Sequence, residues 1–445
     1  MAGEGGGYER RRPEARALHQ AVREGWPGLK GLVPKRLEEE VRRYLECGRL
    51  CYGFVHFECE DCRRPTLVAF SCKSRGWCPS CTTRRALVSG AQLEATLPFV
   101  AHRQWTLSLP RALRLLVVKR PALLKVVERA LVKAVWRWQR AEAKRLGAVG
   151  RQEGGAVAMT QWFGSALQLT PHLHVLVPEA VWDATGEVTL LPPPSTDEVM
   201  QVVQRVVRQV RGAFAKVEGC EWQDDDELSR LQAEAVQGRL ALDVDEAART
   251  GRRRVAVACG FSLHANTWVH ANDREGLERL GRYGARGPLA EERLTRLEDG
   301  RYRYATRKGA ALTLTAEQLV RRLLALVPPP KLHLTAWHGV YAPAARLRPV
   351  VVRTPPVPEP LPPPPPPPQS DEPALPRRPR IDWATLHART FGVDVKRCPC
   401  GGRLKVHSVV STARTAEEVL KNLGLWQPRV LLPPPRGPPQ LELLQ

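Results

Sequence analysis

The sequence predicts an α+β fold built around an antiparallel sheet. Runs with the alternation of strands recur between amphipathic helical stretches, and some of them are joined by short connections. A stretch crowded with cysteine precedes this mixed region, and one crowded with proline follows it. At 445 residues two or three domains are expected, and a hydrophobic content of 43% is enough to give them cores. The composition shifts place a helical, cysteine-rich module at 1–92, an α+β domain at 93–345, a Pro-rich linker at 346–380, a small module at 381–426 and a disordered tail at 427–445.

In the first module, residues 34–45 read as a helix with Leu37, Val41, Tyr44 and Leu45 on one stripe. Further on, strands are expected at 102–109, 156–163, 172–178, 187–191 and 254–263, and helices at 121–146 and 196–217. Asn272-x-x-Glu275 reads as a capping box that opens a helix through Tyr283, ended by Gly284, Gly287 and Pro288. In Arg301-Tyr302-Arg303-Tyr304 the alternation puts both tyrosines on one face of a hairpin, for packing or base stacking. Between Val351 and Arg380 lie 14 prolines, seven of them unbroken at 362–368, which predicts an extended polyproline II spacer. The module beyond it should hold a helix, a Cys-Pro-Cys-Gly-Gly turn, a short strand and a helix that Gly424 could cap.

The charge balance bounds the partners. The chain carries 68 Lys+Arg against 46 Asp+Glu, a net charge of +22. An excess of that size favours a polyanion, nucleic acid ahead of an anionic membrane. The start, Met1-Ala2-Gly3-Glu4, lacks the apolar core of a signal peptide, and no run has the length of a spanning helix. A cytoplasmic protein, associated with the nucleoid through DNA, is the expectation, with no membrane partner.

Seven of the 11 cysteines fall between Cys47 and Cys81, which in a reducing compartment points to metal. Cys59-x-x-Cys62 and Cys78-x-x-Cys81, with 15 residues between the pairs, have the spacing of a four-thiolate structural zinc site. Four thiolates leave no open position for catalysis, and in so small a module metal binding and folding should be one event. Cys47, Cys51 and Cys72 are left over. Cys72 could replace a ligand or join a second site, but burial is the favoured reading. Lys73, Arg75, Arg84 and Arg85, with Trp77 among them, suit phosphate contact and base stacking; a solvated basic face is the competing reading.

In Pro171-His172-Leu173-His174-Val175, two histidines one residue apart sit in an apolar run. Period-two alternation sends both imidazoles to one side of a sheet, where they could share a divalent metal or merely pack.

Four passages together carry a resemblance. They are Phe57-Glu58-Cys59-x-x-Cys62 with 70–85, Arg103-Gln104-Trp105-Thr106-Leu107-Ser108-Leu109-Pro110, Phe163-Gly164-Ser165-Ala166-Leu167-Gln168 running into His172-Leu173-His174, and Leu263-His264-Ala265 followed by 273–283. In these the chain resembles the rolling-circle transposases of the insertion-sequence-91 family, within the HUH endonucleases. The resemblance implies a central HUH-type antiparallel sheet, His172 and His174 as ligands of a catalytic Mg²⁺ or Mn²⁺, and Tyr283 as the nucleophile. Single-stranded DNA at element ends and target site would be the partner, cut and rejoined through a 5′-phosphotyrosine. His264 is the candidate third ligand and Gln168 the runner-up, while Arg279 or Arg282 could contact phosphate.

Two departures stand out. Some relatives carry two tyrosines four residues apart on this helix, but the position four before Tyr283 is Arg279, so the chain resembles the single-tyrosine subtype. Relatives usually continue as Cys-Pro-x-Cys-Gly-Gly where this chain has Cys398-Pro399-Cys400-Gly401-Gly402. A degenerate turn is the expectation there, with recruitment of His407 or Cys47 as the alternative. The rival functions are a replication initiator or relaxase, and a zinc-dependent DNA-binding protein or decayed transposase that binds without cutting.

Overall fold

The computed structural model describes residues 12–214, 253–306, 309, 311–352 and 381–426. Residues 353–380 of the linker expected at 346–380, the tail at 427–445 and the end of the helix expected to reach Val217 lie outside the described residues, whereas Arg348–Val351 of that linker form a short helix with Val351 buried. Helices α1 (Ala17–Gly25) and α2 (Lys35–Glu46) come first, and the predicted stripe of α2 is buried. A hairpin of β1 (Phe54–Cys59) and β2 (Pro65–Ala69) leads to α3 (Pro79–Thr96), whose first turn holds Pro79, where its missing N–H costs nothing. Then follow β3 (His102–Ser108), α4 (Arg111–Lys119), α5 (Pro121–Arg145), β4 (Gly155–Phe163), β5 (Leu169–Pro178), the short ribbon β6 (Ala180–Trp182) and β7 (Val188–Leu190), and α6 (Thr196–Phe214). After these come β8 (Val255–Ala258), β9 (Phe261–Val269) and α7 (Arg274–Gly284). A small sheet of β10 (Leu294–Arg296), β11 (Tyr302–Ala305) and β12 (Ala311–Leu314) precedes α8 (Ala316–Ala325), β13 (Thr335–Gly339) and α9 (Arg348–Val351). The last elements are α10 (Trp383–Phe391), β14 (Leu404–Val410) and α11 (Ala413–Asn422).

The class is α+β with antiparallel sheets, as predicted. The main sheet has six strands in the order β13-β4-β5-β3-β9-β8, and every neighbouring pair is antiparallel. Alternation divides its side chains between two layers. Leu107, Leu173, Val175 and Leu263 share a core with Leu131 of α5 and Val203 of α6. Val157, Met159 and Leu176 pack with Leu93 of α3 and Leu277 of α7. With both faces covered, all nine positions of β4 are buried.

Three local differences have physical reasons. The run expected as one strand at 254–263 is a hairpin: Cys259 (φ +49°) and Gly260 (φ +77°) form a two-residue turn of the left-handed kind that matches strand twist. The cap of α7 is Asp273 rather than Asn272, because the Asp273 Oδ1 accepts from the Gly276 N–H at 2.7 Å. Finally, stretches that are separate in sequence are interleaved in space. Leu18, Leu37 and Trp77 belong to the same core as Trp105 of the main sheet, and β14 pairs with β1 in a three-stranded sheet, β14-β1-β2.

Candidate active site and metal centres

Strand β5 lies inside the main sheet, between β4 and β3. His172 and His174 share one face, with ring centroids 4.9 Å apart, while Leu173 and Val175 point into the opposite core. Each imidazole is held through Nδ1. That of His172 donates to the Thr170 carbonyl at 2.8 Å; that of His174 meets the Thr106 hydroxyl at 3.1 Å, itself an acceptor from Gln104 Nε2 at 3.2 Å. A partner on one ring nitrogen leaves the other to serve as a ligand. The His174 Nε2 is buried with no hydrogen-bond partner among the described residues. Burial first, then His172 and Arg286, holds the His174 pKa well below its usual value, which keeps the imidazole neutral. A buried polar atom without a partner fits a metal that would use it.

Helix α7 crosses this face. The Tyr283 ring stands edge-on to His174, centroids 5.5 Å apart and planes at 82°. The helix is seated against α3 by a close backbone approach: a Cβ on Gly281 would meet the Gly90 Cα at 2.8 Å and the Leu93 Cδ1 at 2.6 Å. It is also held from the sheet, where Gln161 Nε2 donates to the carbonyls of Tyr283 at 2.5 Å and Gly284 at 3.3 Å. Gln161 is the cross-strand partner of His172, so it shares the histidine face, and its Oε1 is buried without a hydrogen-bond partner among the described residues. Sequence reasoning missed this residue; period-two counting along β4, paired to β5, is the signal that could have found it.

Arg286 was also missed. Its guanidinium lies 4.5 Å from the Tyr283 ring centroid and 5.5 Å from that of Phe163, within cation–π reach of both rings. Tyr283 opens onto a cleft of about 960 Å³ that Arg279, Arg282 and Arg286 line on one side, with Thr390 and Phe391 of α10 also at its wall. Arg279 makes surface ion pairs with Asp273 and Glu275 at 3.6 and 3.9 Å, which hold it weakly.

The structure does not bring His264 to the pair. Thr106 is registered against both His174 and His264, so a whole strand stands between them, about 10 Å of sheet. Among the described residues no third His, Cys, Asp or Glu donor converges with His172 and His174. Gln168 has its Oε1 occupied by the Ala166 N–H at 2.8 Å. Tyr302 and Tyr304 are packing residues. Both are buried; the Tyr302 hydroxyl donates to Glu24 at 2.9 Å, and burial together with Glu24 pushes its pKa up to about 12.

The expected site of Cys59, Cys62, Cys78 and Cys81 does not form. The Sγ atoms of Cys78 and Cys81 converge instead with those of Cys47 and Cys72, whereas Cys59 and Cys62 converge with Cys398 and Cys400. The hairpin explains the split. Cys47 and Cys72 flank the open end of β1–β2, which a Gly48 N–H to Phe70 carbonyl bond of 2.9 Å closes, and Cys59 and Cys62 sit at its turn. Five residue steps of strand keep those ends about 17 Å apart. In the first group the separations are 3.7 Å (Cys47–Cys78), 3.9 Å (Cys47–Cys81) and 3.4 Å (Cys72–Cys81). A tetrahedron with Zn–S bonds of about 2.3 Å has edges of about 3.8 Å, which matches. The backbone N–H of Cys72 points at the Cys47 sulfur and that of Ser74 at the Cys72 sulfur, both at 3.4 Å, as suits thiolates. Cys72 is therefore in a ligand group rather than merely buried.

The basic residues around this group divide. Arg85 donates to the carbonyls of Lys73 and Ser74 at 3.3 and 3.0 Å, and Arg75 to that of Pro329 at 3.0 Å. Those two guanidiniums brace loops. Lys73 is exposed and Arg84 half-buried. Trp77 is 1% exposed and packs on Tyr44 with ring centroids 4.4 Å apart, so the expected base-stacking surface is core.

Comparison with known proteins agrees with this layout. Residues 21–109, which include all four cysteines of the first group, match the family described as "Transposase zinc-binding domain". Residues 155–348, which include His172, His174 and Tyr283, match the family described as "Putative transposase". The "Putative transposase y4qJ" of Sinorhizobium fredii (strain NBRC 101917 / NGR234) is 24% identical over 326 residues, covering 68% of this chain and 75% of that protein. No solved structure gives a match. No helix among the described residues is long and apolar enough to cross a membrane.

Proposed function

We propose that this chain, which belongs to the transposases marked by an insertion-sequence-91-type zinc-binding domain, nicks and rejoins single-stranded DNA at the ends of a mobile element through a 5′-phosphotyrosine. The observation that carries the reading is Tyr283, edge-on to His174 at 5.5 Å in a cleft whose lining includes Arg279, Arg282 and Arg286. Strand transfer without a nucleotide cofactor needs a covalent intermediate to conserve the phosphodiester energy. The Tyr283 oxygen attacks phosphorus, the bond to the 3′ oxygen breaks, and that oxygen leaves as a 3′-hydroxyl after taking up a proton. A second 3′-hydroxyl reverses the step and releases the tyrosine. Arg286, beside the Tyr283 ring, and Arg279 and Arg282 offset phosphate charge.

A divalent cation fits beside the tyrosine. His172 and His174 would hold it, and the Gln161 Oε1 offers the oxygen donor that Mg²⁺ or Mn²⁺ favours. When bound, such an ion polarises the scissile phosphate. With Arg279 at the position four before Tyr283, one nucleophile serves, and strands are handled one at a time. A structural zinc on Cys47, Cys72, Cys78 and Cys81 holds the start of α3, the helix on which α7 is seated.

The test is direct. Purified protein, Mg²⁺ and a single-stranded oligonucleotide from an element end should give an adduct that survives denaturation, and Tyr283→Phe should give none. Equal adduct from Tyr283→Phe overturns the nucleophile assignment.

A further inference from the structure

The second cysteine group joins parts of the chain that are far apart in sequence. Cys59 ends β1 and Cys62 lies in the turn after it; Cys398 and Cys400 lie in the turn before β14. Their Sγ atoms are 3.5 Å (Cys59–Cys400) and 3.6 Å (Cys62–Cys398) apart, and all four lie within 4.8 Å of one another. A disulfide would need about 2.05 Å, and a four-thiolate zinc tetrahedron about 3.8 Å. The two turns are shaped to meet. Arg63 and Gly401 take left-handed backbone angles, φ +56° and +93°. A Cβ on Gly402 would come within 2.7 Å of the Cys59 sulfur, so only glycine lets the turns approach this closely.

The module at 381–426 meets the hairpin through two small apolar clusters, one around Phe57, Ala384, Val395 and Leu404 beside the cysteines and one around Leu50, Phe54, Val410 and Leu420, and at roughly 45 residues it has a size at which domains usually need a metal or disulfide. The same module reaches the cleft. Helix α10 packs on α3, Arg389 pairs with Glu278 of α7 at 3.5 Å, and Thr390 and Phe391 stand at the cleft wall with Tyr283. Cys398 and Cys400 lie outside both matched regions, which end at 109 and 348.

We propose that Cys59, Cys62, Cys398 and Cys400 bind a second zinc ion, which clasps the module at 381–426 to the β1–β2 hairpin and so holds Thr390 and Phe391 against the cleft. The five-residue turn Cys398-Pro399-Cys400-Gly401-Gly402 is half of this site rather than a degenerate remnant, and it recruits neither His407 nor Cys47. The clasp does not depend on Tyr283 being a nucleophile.

Zinc content of the full chain, purified reduced, tests the site. Two zinc ions per chain are expected, one in Cys398→Ser/Cys400→Ser, and two again in Cys400→His, which keeps a zinc-competent donor. One zinc in the wild type, or two in the double serine variant, overturns it. A protease site placed within 353–380 tests the clasp. After cleavage the C-terminal piece should co-elute with the rest of the wild-type chain and separate in the double serine variant. Co-elution in both would sink the clasping role, and separation in the zinc-loaded wild type would do the same.

Discussion

The phenol of Tyr283, like any tyrosine's, is a poor nucleophile in neutral water. What distinguishes it here is company: the Arg286 guanidinium at 4.5 Å from the ring centroid and an imidazole edge at 5.5 Å. Replacing Arg286 by Gln keeps the volume and removes the charge. DNA–protein adduct formation should fall roughly tenfold to a hundredfold in single-turnover assays, about what one electrostatic contact in a reacting site contributes. An unchanged rate would mean that the guanidinium plays no part. Gln161 makes a different kind of contribution, since it holds the Tyr283 carbonyl while its oxygen stays on the histidine face. Gln161→Leu should weaken Mn²⁺ binding, read by titration, roughly tenfold or more, with Tyr283→Phe as the control that leaves binding intact. At this scale the sequence was half legible. Alternation put the histidine pair on one face, and Tyr283 was singled out only through the family resemblance, but Gln161 and Arg286 are ordinary residues until the sheet and helix are assembled around them.

Among elements, the seating of α7 on α3 decides where the tyrosine stands. Gly90 and Gly281 let the two helix backbones touch, and a side chain at either position has no room. Gly281→Val should cost about 1–3 kcal/mol of stability, the usual penalty of overpacking, and should shift Tyr283 from His174. Gly212 in α6 is the contrast, because a Cβ there meets nothing within 4 Å among the described residues. Gly212→Ala should gain about 0.5–1 kcal/mol from helix propensity and lost unfolded-state entropy. Urea midpoints read both, and changes of the same sign would refute the packing account. Helices such as α2 and α5 were legible because their apolar stripes are local. The hairpin at 255–269 was not, because its Cys-Gly turn hides within an apolar run and only the positive φ angles reveal it.

For the molecule as a whole, buried neutral histidines set the response to acid. His102 is fully buried between the Val100 carbonyl at 2.8 Å and the Tyr341 hydroxyl at 2.9 Å, and burial pulls its pKa to about 3. The folded value lies below the unfolded one near 6.5, so this stability is complete above pH 6.5 and is lost as pH falls toward 3. The slope is at most about 1.4 kcal/mol per pH unit for one proton. His19 and His174, also lowered by burial, act in the same sense. Unfolding free energy measured at pH 7 and pH 5 should therefore drop, and drop less in His102→Gln; an equal drop would assign the acid sensitivity elsewhere.

Local pattern determined a good deal of this protein. Period two put His172 and His174 on one face, 3.6-residue spacing set the stripe of α2, and the excess of positive charge pointed to a polyanion. These depend on neighbours within a few residues, so the chain carries them wherever it goes. Only the tertiary structure decided which cysteines meet. Two Cys-x-x-Cys pairs 15 residues apart look like one site, yet the length of the β1–β2 hairpin separates them, and partners arrive from the end of α2 and from a strand that returns more than 300 residues later. Closing a ligand tetrahedron is a long-range event, set by where whole elements dock rather than by spacing along the chain.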